Sequence, residues 1–467
     1  MVHTRRTVLT TAVTFGTITL AGCVSGIITD SDDEDGQPGD GVDDDAADLN
    51  DGDDADDADE VDGGDDGDSD DAAGLDDDPV EDDGDDSDAD DQTAADDPPS
   101  DELDHLPGEA IDDFADLDQW FAFVGQGSIE ATEDDPYAND QSALITADED
   151  VDYAGVYREF MEPLDLSEQT LSLAVRFTGR ELFDLTVQVL APNSRNYLNH
   201  RRVFTGPADR WVRVDLGANY EETQPDLHDV REIRVIGRRR GEAGPISFAL
   251  DDLRVVDRPE TGAVLFLFDA TLADHYEVAF PIMEEFGFDG VETVTPETVD
   301  RDGRLTLDQM REMDDAGWEM IARPRVGGQF MHEYDRDEQE GMIRRTQTYL
   351  LNRGFESGAQ HMFVPRNVIG PDGMDLVREY HESAFRYGGG PNGLPATDPH
   401  NLGYFNTDDD DTTRSFVDLA ARHKQLAVPR FESFGEDGMD EDAFRDLLEY
   451  IDEADVDVVT ATGAHDR

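Results

Sequence analysis

Asp269 stands directly after the apolar run 264–268 in the C-terminal half of the chain, and Ala270 follows it. A carboxylate there is able to exchange protons or bind a divalent metal, whereas alanine offers no donor atom. Three guanidinium groups lie at the ends of other apolar runs, on Arg323, Arg366 and Arg430. Guanidinium binds carboxylate and sulfate through paired hydrogen bonds, so these arginines are suited either to neutralise Asp269 or to hold an anionic ligand.

These residues lie in a region, 259–467, where strand-like and helix-like runs alternate, which predicts a parallel sheet closed as a barrel. Thr306 is predicted to be the N-cap of one helix. The glycine-rich run 386–393 is predicted to be a flexible loop at the mouth of the barrel. The predicted strands are 264–268, 318–323, 361–365, 425–431 and a closing strand at 456–461. The predicted helices are 273–287, 306–316, 335–353, 372–382, 412–423 and 440–453.

The string L-F-D-A-T at 267–271 resembles the opening T-F-D-D-G motif of the polysaccharide deacetylase family. The resemblance covers 259–467 and implies a distorted (β/α)7 barrel. In that family a divalent metal such as zinc activates a water molecule and an Asp accepts the proton. The resemblance therefore matches Asp269 with the general base and Ala270 with a metal-binding Asp.

The other motif positions also depart from the family pattern. Arg323 and Gly327 match the two metal-binding histidines, Arg366 falls in the loop matched to Y-P-Y-G, and Arg430 matches the histidine that protonates the leaving amine. A catalytic metal needs three protein ligands in a fixed geometry. We therefore expect no bound metal and a pseudoenzyme in which metal-dependent hydrolysis has been abandoned.

Several alternatives stay open for this site. The three arginines either pair with Asp269 and simply fill a dead site, or bind anionic cell-surface glycans such as uronates and sulfated sugars. A third alternative is a working carbohydrate deacetylase, a hydrolase of C–N bonds, with an altered site. A displaced metal site would draw on Asp274, His275 and His332.

The middle of the chain, 107–258, consists of short alternating runs bounded by Gly, Pro and Asn, which predicts a jelly-roll-like β-sandwich. Its layout resembles carbohydrate-binding modules, with D-D-F at 112–114, Y-R-E-F at 157–160 and a closing strand that contains Asp251. That resemblance implies a structural calcium ion at Asp251; a plain surface carboxylate is the alternative. A module that only supports the next domain is the alternative to sugar binding. The aromatic candidates for sugar stacking are Trp120, Phe121, Tyr137, Tyr153, Tyr197 and Trp211.

Residues 1–23 contain Arg5-Arg6, an apolar stretch and the string L-A-G-C that ends at Cys23. The twin arginine resembles a Tat export signal and the string resembles a lipobox, so we expect Cys23 to be lipidated; an ordinary signal peptide is the alternative. Residues 24–106 are mainly Asp, Gly and Ala, which predicts a disordered acidic linker. The expected location is the extracellular face of the cell membrane, with the membrane and cell-surface glycans as partners.

Acidic residues dominate the composition, with 115 Asp and Glu against 35 Lys and Arg and a formal net charge of −80. Such a chain repels nucleic acid, which excludes that class of partner. Acid excess with Lys424 as the only lysine resembles proteins of salt-loving archaea; a mesophilic protein with an acidic tail is the alternative. Because Cys23 is the one cysteine, a disulfide within the chain is excluded.

Overall fold

The computed structural model of the protein describes residues 106–179, 182–240, 244–435 and 438–467. The predictions for the export signal with Cys23 and for the linker at 24–106 therefore lie outside the described residues, apart from Leu106. Within the described ranges, no helix is both long and apolar enough to cross a membrane. The described residues all belong to one compact unit of the chain.

The first half of the described chain forms the predicted β-sandwich, and its neighbouring strands are antiparallel. Its strands in chain order are β1 (Glu109–Asp112), β2 (Trp120–Ala122), β3 (Ser128–Thr132), β4 (Ser142–Ala147), β5 (Ala154–Leu164), β6 (Gln169–Phe177), β7 (Leu182–Asn193), β8 (Asn196–Thr205), β9 (Val212–Leu216), β10 (Tyr220–Glu222), β11 (Val230–Arg239) and β12 (Ile246–Asp257). One sheet has the order β3-β4-β12-β6-β9, with β1 beside β12. The second sheet has the order β10-β8-β7-β11-β5-β2.

Alternation of side chains along the strands explains why two sheets pack here. On β11, Ile233 and Val235 are fully buried between the sheets, whereas Arg234 between them points to the opposite face. Phe177 and Phe183 stack across the core with ring centroids 5.1 Å apart. Each buried side chain of this size stabilises the fold by about 2–3 kcal/mol.

The second half of the described chain contains ten strands, seven of which form the predicted barrel. Its strands in chain order are β13 (Gly262–Val264), β14 (Phe266–Phe268), β15 (Gly290–Val294), β16 (Glu319–Ala322), β17 (His361–Phe363), β18 (Ser383–Tyr387), β19 (Leu402–Asn406), β20 (Leu426–Ala427), β21 (Pro429–Phe431) and β22 (Val456–Val458). Its helices are α1 (Phe280–Phe286), α2 (Leu307–Asp315), α3 (Arg336–Leu351), α4 (Pro371–Tyr380), α5 (Asp410–His423), α6 (Glu441–Asp452) and α7 (Ala461–His465). Strands β14 to β19 and β21 close the barrel as parallel neighbours, while β13, β20 and β22 form a separate sheet.

Thr306 is the N-cap of α2, as predicted, and forms a capping box with Gln309. Other predicted boundaries are corrected. The single strand predicted at 264–268 is two short strands in different sheets, and the helix predicted at 273–287 is a π-helical turn at His275–Ala279 followed by α1. The closing strand predicted at 456–461 is wrong in its role, because β22 pairs with β13 and β21 closes the barrel.

The glycine-rich run 386–393 was predicted to be a flexible loop, and this prediction is wrong. The run is a buried segment that lies against the sandwich. The Val203 N–H donates a hydrogen bond to the Gly388 carbonyl at 3.0 Å. A Cβ atom on Gly388 would lie 2.3 Å from Nη1 of Arg202, and Arg202 also donates to Asn392 Oδ1 at 2.9 Å. These glycines therefore allow close approach of the two domains, and the sandwich covers the link between β18 and β19, which has only a 3-10 turn at Pro399–Asn401.

Candidate functional site

Asp269 lies at the carboxyl end of β14, where the ends of the neighbouring parallel strands bring other polar side chains together. Its Oδ2 accepts hydrogen bonds from Nε and Nη2 of Arg430 at 3.0 and 2.7 Å. Its Oδ1 accepts one from the Thr293 hydroxyl at 2.8 Å and lies 3.0 Å from Nε of Arg323. Only 2% of the Asp269 side chain is exposed, so these partners enclose the carboxylate.

The charge of Asp269 is strongly stabilised by this arrangement. Burial alone would raise the pKa of the carboxyl group, but Arg323 and Arg430 outweigh burial and hold that pKa well below its usual range. The group is therefore ionised at neutral pH and is a weak proton acceptor. This is the geometry expected if the arginines pair with Asp269 and fill the site.

Arg430 has further partners that fix its orientation. Its Nη1 donates to Asn406 Oδ1 at 3.3 Å, and its guanidinium carbon lies 5.4 Å from the centroid of the Tyr404 ring. Nη2 also contacts the Glu432 carboxylate. The guanidinium group is thus shared between two carboxylates and an aromatic face, all at one end of the barrel.

The three residues that the sequence resemblance matches with metal-binding positions do not fit a divalent metal. Ala270 is buried and has no donor atom; its N–H donates to the Thr293 hydroxyl at 3.0 Å. Gly327 also lacks a donor side chain, and its N–H donates to the Tyr334 hydroxyl at 3.0 Å. Arg323 is a cation and would repel a metal ion. Zinc needs nitrogen, sulfur or carboxylate ligands, which these positions do not supply.

Arg366, the third arginine of the sequence prediction, makes different contacts. Its Nη1 donates to the Gly327 carbonyl at 3.4 Å, and its guanidinium lies 5.0 Å from the centroid of the Phe330 ring. The structure therefore brings Arg323 and Arg430 together on Asp269, while Arg366 braces the loop that contains Gly327. Anionic glycan binding by these arginines stays a prediction.

A buried imidazole–carboxylate pair next to this site was missed by sequence reasoning. His275 Nδ1 lies 2.8 Å from Glu292 Oε2, both side chains are fully buried, and His275 Nε2 contacts the Glu432 carbonyl. Burial lowers the pKa of His275, but Glu292 more than offsets this and raises it above its usual value. The only sign of this pair in the sequence is that Glu292 interrupts the short run 290–294, which is otherwise uncharged.

The displaced metal site, which stayed open as an alternative, does not assemble from its three residues. Asp274 Oδ1 lies 3.9 Å from His275 Nε2, whereas the ring of His332 stacks on Phe330 with a centroid distance of 5.8 Å. Among the residues that the structure describes, no group of three or more His, Cys, Asp or Glu is placed to hold a metal.

Asp251, the predicted calcium ligand, is fully buried rather than on the surface, and donors surround it. Its Oδ2 accepts hydrogen bonds from the Ser142 hydroxyl at 2.6 Å and from two backbone N–H groups, those of Tyr137 and Ala138. Its Oδ1 accepts from the Asp252 N–H at 2.8 Å. Calcium requires several oxygen ligands, so this set of donors does not fit the ion.

On one face of the second sheet of the sandwich, a row of side chains crosses all six strands. Residues directly opposite one another on paired strands share a face of the sheet. We call this row the platform; in spatial order it consists of Phe121, Tyr157, Arg234, Gln188, Asn199 and Tyr220. Because neighbouring strands are about 4.8 Å apart, the row spans roughly 24 Å.

Aromatic groups lie at both ends of the platform. Phe121 is 51% exposed and lies 5.6 Å from Tyr157, on which the ring of Phe123 also stacks. At the other end, Tyr220 is 36% exposed and its ring centroid lies 6.1 Å from that of Tyr197.

Between the aromatic ends, the platform is polar and internally bonded. Arg234 Nη1 donates to Gln188 Oε1 at 3.2 Å, and Gln188 Nε2 donates to Asn199 Oδ1 at 3.1 Å. Arg234 is also paired with Glu232. The platform thus combines stacking surfaces with a polar floor whose guanidinium charge is neutralised.

Two of the six aromatic candidates from the sequence, Phe121 and Tyr197, lie at the platform. Trp120, Trp211 and Tyr153 are buried, and Tyr137 packs on Trp211 at 5.5 Å. Strand alternation could assign faces locally, but the register between distant strands, which creates the row, is not readable from sequence.

No protein-family model matches this chain, and no curated protein matches it. Its structural neighbours include deacetylases and carbohydrate-binding modules. The Streptococcus pyogenes deacetylase PplD in complex with acetate is 19% identical, with a TM-score of 0.28, and the match covers 30% of this chain and 62% of that one.

Two other matches extend over most of the length of the neighbouring structure. The Xyl-CE4 domain of a multidomain xylanase from the hindgut metagenome of Trinervitermes trinervoides is 13% identical, with a TM-score of 0.31; the match covers 44% of this chain and 91% of that one. A family 11 carbohydrate-binding module from Clostridium thermocellum, in complex with a β-1,3-1,4-mixed-linked tetrasaccharide, is 11% identical, with a TM-score of 0.26 and coverage of 32% and 96%. Likenesses this distant assign no activity to this chain.

Proposed function

We propose that this protein binds glycans through the platform and that its deacetylase-like barrel is not a metal-dependent hydrolase. The observation that carries the proposal is the row across the second sheet, with exposed aromatic rings at both ends and the partly exposed side chains of Arg234 and Asn199 between them, while Gln188 is buried. Sugar rings present apolar faces and hydroxyl edges, and a binding site needs rigid aromatic surfaces together with a few polar groups. A length of roughly 24 Å accommodates several sugar residues.

The platform suits a neutral glycan better than an anionic one. Arg234 is paired with Glu232, and Arg201, on the neighbouring row, donates to Asp184 Oδ2 at 2.9 and 2.7 Å. An anionic sugar would have to compete with these carboxylates. The same argument applies at the barrel, where Asp269 already occupies Arg323 and Arg430.

The barrel is proposed to be a degenerate member of the polysaccharide deacetylase family. Deacetylation in that family requires a metal and a carboxylate that accepts a proton, and the side chains at Ala270, Arg323 and Gly327 supply no metal ligand. The low pKa of Asp269 also opposes proton transfer to it. The alternative function, an active carbohydrate deacetylase with an altered site, predicts acetate release from acetylated glycans that depends on zinc or cobalt and stops with chelator. We expect none.

The location is also a proposal. The twin arginine and the lipobox-like string ending at Cys23 support export and lipid anchoring at the outer face of the membrane, and the acidic composition supports a salt-adapted host. Cell-surface glycans would then be within reach of the platform.

The test of function is retention of the full chain by immobilised polysaccharides in molar salt. The panel contains neutral mixed-linked β-glucan and xylan, and anionic polyuronate and sulfated glycan. We expect retention by a neutral polysaccharide and a loss of about tenfold or more in affinity for Phe121→Ala and Tyr220→Ala. The matched control is Leu351→Ala, which removes another exposed apolar side chain, 41% exposed, from the barrel helix α3. Equal binding by all three variants and the wild type would contradict the proposal.

A further inference from the structure

Tyr220 lies on β10, one of the two three-residue edge strands that carry the platform, and residues of the barrel contact β10 and the residues just before it. Strand β10 contains only three residues and pairs with β8 alone. A three-residue edge strand has few hydrogen bonds of its own to fix its position. The contacts that hold β10 therefore decide where Tyr220 points.

The first contact is made by Gln425, which immediately precedes β20 of the barrel. Its Oε1 accepts a hydrogen bond from the Ala218 N–H at 2.8 Å, and its Nε2 donates to the Ala218 carbonyl at 2.8 Å. Both residues are buried. One amide side chain thus satisfies both backbone groups of a residue two positions before Tyr220, as a neighbouring strand would.

Two further contacts lie on either side of this one. Glu221, next to Tyr220, accepts from Arg422 Nη1 at 2.8 Å and lies 3.0 Å from His423 Nε2, both at the end of α5. On the other side, Gly217 passes so close to the barrel that a Cβ atom there would lie 2.2 Å from the Pro391 carbonyl oxygen. Gly217, Ala218 and Glu221 therefore contact the barrel, while the Asn219 N–H between them donates to the Asn199 carbonyl on β8 at 2.9 Å.

We propose that the barrel positions Tyr220 and thereby completes the far end of the platform, with Gln425 as the main positioning residue. This inference rests on the proposed glycan binding, and it gives the barrel a role in recognition that needs no catalysis. Phe121 and Tyr157 lie at the opposite end, on β2 and β5, and take no part in these contacts. The barrel should therefore act on glycans long enough to reach Tyr220 and not on short ones.

The test compares Gln425→Ala with the wild-type full chain, using a long and a short oligosaccharide cut from whichever panel polysaccharide the wild type retains. We expect about tenfold weaker binding of the long oligosaccharide, because two buried hydrogen bonds to Ala218, two residues before Tyr220, are lost, and unchanged binding of the short one. Gln339→Ala is the control, since this buried glutamine donates to the Tyr334 carbonyl within the barrel. Unchanged binding of both lengths, or an equal loss for both, would overturn the inference.

Hydrogen exchange separates this inference from the proposed function, because it needs no ligand. We expect faster amide exchange in residues 217–222 of Gln425→Ala and of the milder Glu221→Gln, with Gln339→Ala unchanged. If the wild type binds no glycan but exchange in this segment increases, glycan binding is refuted while the positioning of β10 by the barrel stands. If exchange is the same in all variants, the positioning role is refuted whatever the wild type binds.

Discussion

Replacing Asp269 with Asn should destabilise the protein strongly, although a catalytic carboxylate can usually be removed at little cost to stability. The substitution keeps the shape of the side chain but leaves the guanidinium groups of Arg323 and Arg430, which are 15% and 13% exposed, without their shared anion. Breaking a buried ion pair by removing one partner costs about 3–5 kcal/mol. Because both arginines keep some contact with water, we expect about 3 kcal/mol, the lower end of that range.

The assay is the free energy of unfolding from urea titration in molar salt. The control is Asp455→Asn, which removes the partner of Lys424 in an exposed ion pair and should change the free energy of unfolding little. A loss below about 1 kcal/mol for Asp269→Asn, within the range of exposed pairs, would refute the argument that this cluster is a structural ion pair.

The pH dependence of the free energy of unfolding, compared between wild type and Asp269→Asn, gives a second readout. A carboxylate whose folded pKa is lowered contributes stability above its unfolded pKa, 3.8, and loses that contribution as the pH falls through the folded pKa. The difference between wild type and Asp269→Asn should therefore be constant from neutral pH down to the unfolded pKa and shrink below it. A difference that shrinks between neutral pH and mildly acidic pH would contradict the lowered pKa.

Three further predictions concern the surrounding residues. Arg366→Ala should cost much less stability than Arg430→Ala, because Arg366 contacts a carbonyl and an aromatic ring rather than the buried carboxylate; equal losses in urea titration would contradict this. Glu292→Gln should lower the free energy of unfolding by about 2–3 kcal/mol, since it removes the anion from a fully buried pair with His275, and a neutral effect would show that the pair is uncharged. Zinc or cobalt should leave the melting temperature of the wild type unchanged, because neither Ala270 nor Gly327 offers a donor side chain; a rise with metal concentration would reveal ligands elsewhere.

Sequence reasoning predicted the two folds because local patterns decide them. Alternating runs predicted the sandwich, and strand–helix alternation predicted the barrel, down to the N-cap Thr306. Short interior strands such as β15, β18 and β19 were missed, since strands whose residues are all or nearly all buried show no periodicity. The prediction for the glycines at 388–390 was wrong because a glycine either gives the backbone conformational freedom or lets another residue pack closely against it. Only the position of the neighbour, Arg202, shows that close packing is the reason here.

The candidate site was likewise predictable from the sequence only in part. Asp269, Arg323 and Arg430 could be found because the sequence resembles the deacetylase motifs, whose positions lie at or near the carboxyl ends of the barrel strands. The separate position of Arg366, the pair of His275 with Glu292, and the platform depend on side-chain direction and on register between strands far apart in sequence. Neither quantity is determined by a local pattern.

The most direct test of the central claim is to locate a bound glycan on the folded chain by comparing hydrogen exchange with and without the polysaccharide that the panel identifies. We predict protection of the strand segments that carry Phe121, Tyr157, Gln188 and Tyr220, with no change at the carboxyl ends of the barrel strands. Protection around Asp269 and Arg430 with an unprotected platform would contradict the account and show that the barrel, not the sandwich, is the glycan site.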